Sequence, residues 1–260
     1  MNRPFANLLR RRAGITLAEE RGVRTLHFGS VWVQGAMRIA DPFRLELEYT
    51  RELFAGLIFQ PAPRAFTLIG LGAGSATKFA WKNFPRSRVT SVDIDPAVIA
   101  CARTHFALPA DSSRHAAVCA DGHDYLAAHP HSTDYLIVDV YDARAAGPVL
   151  SSRGFYGACR DALVTDRLAV IAVNLFGRHK SHDLNFGNLE QAFDGRVLAL
   201  PASARGNVIA FGFAGPHSEI ALAELRRVAA GLKERLGLEF PRWLAGFRRE
   251  NGLDGVTVSA

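Results

Sequence analysis

The stretch Ala65-Phe-Thr-Leu-Ile-Gly70-Leu-Gly72-Ala-Gly74 decides the architecture of this 260-residue chain. A short apolar run breaks into glycines at alternate positions, and Ser75 to Asn83 then reads as a helix. A buried strand that turns sharply into a helix calls for this composition, because glycine takes backbone angles closed to other residues and lets the chain approach a ligand closely. The alternation continues downstream. Arg88 to Asp93 is a strand, Asp95-Pro96 opens a helix running to Phe106, Ala116 to Ala120 is a strand, and a helix follows to Ala128. Asp95 suits the cap of its helix and Pro96 the first helical position. Tyr135 to Asp139 is a strand, Ser151 to Leu163 a helix, Arg167 to Leu175 a strand and Asp183 to Phe193 a helix. Val197 to Leu200 and Asn207 to Phe213 are strands joined by a short loop, and Ser218 to Leu236 is an amphipathic helix.

This pattern implies an α/β fold, a doubly wound, mostly parallel seven-stranded sheet with right-handed crossovers. No helix separates the last two strands, so the last one runs reversed. That topology resembles the class I S-adenosylmethionine-dependent methyltransferase fold. Upstream, Thr25 to Gly29 and Ser30 to Ile39 read as a small N-terminal β-hairpin extension. Leu45, Tyr49, Leu53, Phe54 and Leu57 place a helix over 43–59, which Pro61-Ala-Pro63 ends. The chain thus divides into a hairpin with linking helix (1–60), a main domain (61–236) and a C-terminal tail (237–260).

Composition narrows the function. The formal charge is 31 − 25 = +6, carried by 27 arginines and only four lysines. The arginines are dispersed except for Arg10-Arg11-Arg12, which reads as a solvated arm, so a nucleic-acid partner ranks low. Cys101, Cys119 and Cys159 are odd in number and far apart, giving neither a disulfide framework nor a metal pattern. The longest apolar stretch, Leu168 to Phe176, is nine residues long, contains Asn174, and is too short to span a bilayer. The N-terminal residues lack the apolar run of a secretory signal. A cytoplasmic protein with no membrane partner and no metal is the expectation. His123, His179 and His182 read as surface or capping residues, and Cys159 as core.

In such sheets ligands bind at the carboxyl ends of the strands, and four of these ends carry chemistry. The first is the glycine loop, Gly70, Gly72 and Gly74, leading to a helix N-terminus with free N–H groups. The second is Asp93, 21 residues beyond Gly72, at the spacing of an acid that accepts ribose hydroxyls. The third is Asp121-Gly122, where a carboxylate can accept from an adenine amino group and glycine lets the base lie close. A helix cap is the plainer reading of Asp121. The fourth is Asp139 with Asp142 three residues on, a pair of carboxylates suited to a cationic amine, one taking a proton and the other anchoring charge.

The runs Ile69-Gly-Leu-Gly-Ala-Gly-Ser, Val92-Asp-Ile-Asp-Pro, Ala120-Asp-Gly and Tyr135-Leu-Ile-Val-Asp-Val-Tyr-Asp resemble those of the polyamine aminopropyltransferases, the spermidine and spermine synthase family. The hairpin, the helix bearing Tyr49, Gly147-Pro148, and the apolar Leu68, where many methyltransferases carry an acid, fit as well. The resemblance implies that Gly70, Gly72 and Gly74 form the cofactor loop, that Asp93 holds the ribose, and that Asp121 and Gly122 hold the adenine. It implies that Asp139 accepts the proton of the attacking amine, and that Asp142 and Tyr49 bind that substrate. The implied reaction displaces methylthioadenosine from decarboxylated S-adenosylmethionine by a diamine such as putrescine, without a metal. The implied assembly is a homodimer.

Three positions depart from the family's pattern. Its loop usually reads Gly-Gly-Gly-Asp-Gly-Gly, and its acid holds the aminopropyl ammonium; here that position is Ala73. The residue after Tyr49 is usually Gln, here Thr50, and the acidic loop reads Asp139-Val-Tyr-Asp142-Ala instead of Asp-Ser-Thr-Asp-Pro. Glu46, Glu48 and Glu52 are candidates to replace the missing acid. Ala73 also leaves open a methyltransferase using ordinary S-adenosylmethionine, and a non-catalytic adenosyl-binding homologue is the third reading.

Overall fold

The computed structural model describes residues 14–140, 152–176, 181–201, 203, 206–253, 255 and 257–259. The chain opens with a three-stranded antiparallel sheet, β1 (Ile15–Glu20), β2 (Val23–Phe28) and β3 (Gly35–Arg38). The expected hairpin is therefore one strand larger. Every residue of β1 after Ile15 is exposed, so its sequence has no alternation of apolar and polar residues to betray it. Its turn is equally disguised. Arg21 and Gly22 take φ of 50° and 75°, the mirror-type two-residue turn, with Arg where Asn or Asp is the usual signal.

The helix expected over 43–59 is instead a short α1 (Glu48–Glu52) followed by a 3-10 turn, Ala55–Ile58. The periodicity is real, since Leu53, Phe54 and Leu57 are all buried. Packing breaks the helix. The Tyr135 hydroxyl donates to the Leu53 carbonyl at 2.8 Å, and Leu57 N–H turns to the Phe54 carbonyl instead. A Cβ on Gly56 would lie 2.8 Å from both the Tyr135 hydroxyl and Val170.

The main sheet alternates as the sequence implies: β4 (Ala65–Ile69), α2 (Ser75–Asn83), β5 (Arg88–Asp93), α3 (Pro96–His105), β6 (His115–Cys119), α4 (Gly122–Ala128), β7 (Tyr135–Val138), α5 (Arg153–Ala162), β8 (Ala169–Phe176), α6 (His182–Ala192), β9 (Val197–Ala199) and β10 (Asn207–Ala214). Strand order is β6-β5-β4-β7-β8-β10-β9. β4 to β8 pair in parallel, and β10 is antiparallel to both neighbours. β11 (Glu219–Ala221), α7 (Leu222–Leu236), α8 (Phe240–Glu250) and β12 (Thr257–Ser259) complete the chain. The last long helix starts at 222 rather than 218, because β11 pairs with β12, a partner too distant for a local pattern to reveal.

Three apolar clusters hold these layers. Phe54, Phe66, Phe79, Tyr135 and Phe211 fill one face of the sheet; Leu136, Val138, Phe155, Tyr156 and Leu189 fill the other. The tail belongs to the first cluster: Phe247 packs edge-on to Phe59 and Phe211, with centroids 5.5 and 5.1 Å away. The third cluster joins the N-terminal sheet (Leu26, Phe28, Met37) to α3 (Val98, Ile99) and to Leu71 and Ala73 of the glycine loop.

One buried cation sits beneath that loop. Lys78 of α2 is 1% exposed, and its ammonium donates to the Phe106 carbonyl at 2.7 Å. Burial lowers its pKa from 10.5 to about 8. The folded state thus loses this proton before the unfolded chain does, and stability from this group rises with pH between those two values. The stability of the wild type relative to Lys78→Met should increase by up to about 3 kcal/mol from pH 7.5 to 10.5, measured by paired denaturant titrations.

Candidate active site

The site grows from the carboxyl ends of β4, β5, β6 and β7. The β4–β5 ladder carries on past β4 through Gly70 N–H to the Val92 carbonyl at 2.8 Å, and the β7–β4 ladder through Asp139 N–H to the Ile69 carbonyl at 2.9 Å. Gly70, Gly72 and Gly74 take φ of 95°, 51° and 65°, so the loop is a run of left-handed turns into α2. Gly70 is the tightest point: a Cβ there would meet the Asp139 carbonyl oxygen at 2.2 Å. Gly72 passes under the Gln34 carbonyl, which would lie 3.3 Å from a Cβ.

Asp93 is almost fully buried and organises this loop. Its Oδ2 accepts from Leu71 N–H and its Oδ1 from Asp95 N–H, both at 3.0 Å. Asp121 caps α4: its Oδ1 accepts from His123 and Asp124 N–H at 2.8 and 3.2 Å. Gly122 is the buried first residue of that helix.

Asp139 follows β7 directly and is partly buried. Its Oδ1 accepts from the Asn174 amide of β8 at 2.9 Å, and the Tyr49 phenol of α1 also donates to it. Burial raises the Asp139 pKa, while both hydrogen bonds favour the charged form and pull it down. The structure therefore brings Tyr49 and Asp139 together. Asp142 lies outside the described residues, as do Arg10 to Arg12, Gly147-Pro148 and His179.

A cavity of about 230 Å³ adjoins this group, lined by Glu46, Leu47, Glu48, Tyr49, Arg51, Ser203 and Asn207. Two of the three candidate acids thus stand on its wall. Glu46 is also tied to Arg38 of β3 by contacts of 2.5 and 3.1 Å. Glu52 is elsewhere: it is buried and its pKa is pushed up to about 7, first by desolvation and then by the Glu48 charge. Sequence reasoning missed Asn174 as a site residue, although it is a polar residue inside the longest apolar run. It missed Asn207 and Ser203, which a loop-end position did not mark.

Residues 51–182 match the spermine/spermidine synthase domain. A polyamine aminopropyltransferase of Neisseria meningitidis is 35% identical over 256 residues, covering 97% of each chain. The chain belongs to this family. It is a transferase, and its reaction is aminopropyl transfer in polyamine biosynthesis. A further polyamine aminopropyltransferase, from Chromobacterium violaceum, is 34% identical over 91% of this chain and 90% of its own. The fold agrees. A probable spermidine synthase from Corynebacterium glutamicum superposes with a TM-score of 0.68 over 93% of this chain and 91% of its own, at 19% identity. Human methyltransferase-like protein 13, solved in complex with SAH, reaches 0.65 at 25% identity, over 74% of this chain and 94% of its own. The aminopropyltransferase shares its sheet with methyltransferases, as the reversed β10 indicates. No helix among the described residues is long and apolar enough to cross a membrane.

The glycine loop is closely packed at Ala73. Ala73 is 2% exposed, and a Cβ on Gly35 of β3 would stand 2.6 Å from its methyl group. The loop thus tolerates almost no extra volume on either side. Gly70→Ala should cost more than about 2 kcal/mol, since it combines a positive φ with backbone overlap. Thermal unfolding reads that loss, and calorimetry should find cofactor binding lost with it.

Proposed function

We propose that this chain transfers the aminopropyl group of decarboxylated S-adenosylmethionine to a diamine such as putrescine, with Asp139 as the proton acceptor. The observation that carries this reading is the Asp139 carboxylate, held by Asn174 and Tyr49 beside the glycine loop and next to a cavity walled by Glu46 and Glu48. A spermidine synthase of the same fold has been solved with the transition-state analogue AdoDATO.

The residues divide the work. Gly70, Gly72 and Gly74 let the backbone lie against the co-substrate. Asp93, already bonded to the loop, accepts from the ribose hydroxyls, and Asp121, which also caps α4, accepts from the adenine amino group. The co-substrate supplies an electrophilic aminopropyl carbon beside a sulfonium. An ammonium has no lone pair, so the acceptor amine must give up a proton before it attacks, and Asp139 receives it. Tyr49 orients the carboxylate and forms one wall of the acceptor cavity. Asp142 follows as a second anchor for the amine. Carboxylates around two cationic reactants lower the electrostatic cost of bringing them together.

Calorimetry with decarboxylated and ordinary S-adenosylmethionine, followed by product analysis with putrescine, tests the assignment. Tighter binding of the decarboxylated form and a spermidine product are expected. Preference for the carboxylated form would overturn it and favour the methyltransferase reading that Ala73 leaves open. Asp139→Asn should lower turnover by about 10²–10⁴-fold with cofactor affinity within a few-fold of wild type.

A further inference from the structure

The acceptor cavity and Asp139 are joined by a line of side-chain amides. Asn207 stands at the start of β10 and lines the cavity; its Nδ2 donates to Oδ1 of Asn174 at 3.0 Å. The Nδ2 of Asn174 then donates to Oδ1 of Asp139 at 2.9 Å. Asn174 is 2% exposed on β8, in a strand otherwise apolar from Ala169 to Phe176. Asn207 is itself pinned: its N–H donates to Ser203 Oγ at 3.1 Å, and its carbonyl accepts from Ser203 N–H at 2.7 Å.

A carboxamide has one donor end and one acceptor end, and it can flip between them. An Asn beside a carboxylate helps it only if the NH₂ end faces the charge; the flipped amide sets oxygen against oxygen. In the observed arrangement the Asn207 donor occupies the Asn174 oxygen, which leaves the NH₂ end of Asn174 facing Asp139. We propose that Asn207 is a positioning residue for the reaction, acting through Asn174 to hold the Asp139 carboxylate ionised and in one orientation. The inference rests on the reading of Asp139 as proton acceptor. Among the described residues the polar groups acting on this carboxylate are Asn174 from β8 and the Tyr49 phenol from α1, and burial is the opposing influence. Among the described residues no charged group is a resolved influence on it.

The test is the pH dependence of kcat at saturating amine in Asn207→Leu, which keeps size and removes the donor without adding charge. The expected result is an acid limb displaced upward by about one pH unit, with kcat reduced about tenfold on that limb and approaching wild type above it. Asn207→Gln, which keeps the amide, should hold the limb within a few tenths of a unit. Asn207→Asp, soluble and equal in size, should shift the limb at least as far as Leu and serves where the Leu variant does not fold. A raised KM with an unmoved acid limb in Leu and Asp variants would overturn the proposal and leave Asn207 as a cavity wall only. Loss of turnover in Asp139→Asn together with an unmoved limb in Asn207→Leu sinks the relay alone. Full turnover in Asp139→Asn would sink the proton-acceptor reading beneath it.

Discussion

Gly70 and the Asp139 carbonyl come so close that no β-carbon fits between them. This contact exists because β4 and β7 are parallel neighbours at the centre of the sheet, and both end at the same level. The loop after β4 must turn away at once, over a neighbour that is itself leaving the sheet. Glycine is the residue that permits it. The glycine loop and Asp139, the two parts to which the proposed reaction assigns cofactor and proton, are thus spaced by one backbone contact. A shift of either strand would move both.

The electrostatics run against the charge of the chain as a whole. A net charge of +6 points toward polyanions, yet the residues gathered at the strand ends are Asp93, Asp121 and Asp139, with Glu46 and Glu48 on the cavity wall. Four of these five have local partners. Backbone N–H groups hold Asp93 and Asp121, side-chain donors hold Asp139, and Arg38 holds Glu46. A carboxylate held by neutral donors keeps its charge available to a ligand, whereas one neutralised by an arginine has spent much of it. Asp93, Asp121 and Asp139 are of the first kind and Glu46 is of the second.

The main domain was legible because its signals are local. Glycines after an apolar run, acids at strand ends and the Asp95-Pro96 helix start each declare themselves within a few residues. What escaped depends on partners far away in the chain. β1 is an exposed edge with no alternation, β11 is a strand only because β12 pairs with it, and the helix over 43–59 is broken by Tyr135 taking the Leu53 carbonyl. The site divides the same way. Gly70, Asp93, Asp121 and Asp139 follow from position after a strand. Asn174 had a signal of its own, a polar residue in the middle of an apolar strand, which must find a partner when buried. Asn207 had none, for an Asn after a turn is ordinary until the residue opposite it is known.

The N-terminal sheet looks like an appendage in the sequence and is part of the site in the fold. Alternate positions from the residue before its last strand onward each touch a different part. The Gln34 carbonyl lies over Gly72, the Ala36 carbonyl accepts from Ser75 at 3.0 Å, and Arg38 binds Glu46. Gly35, between them, is pressed against Ala73. A β-carbon at position 35 would overlap the Ala73 methyl, so strand and glycine loop meet there with no side chain between them. Ala73 is itself buried, so its methyl spaces the loop from the strand. Of the site's carboxylates, Asp93 and Asp121 stand at the ends of β5 and β6, Asp139 just beyond β7, and Glu46 and Glu48 on the cavity wall before and within α1.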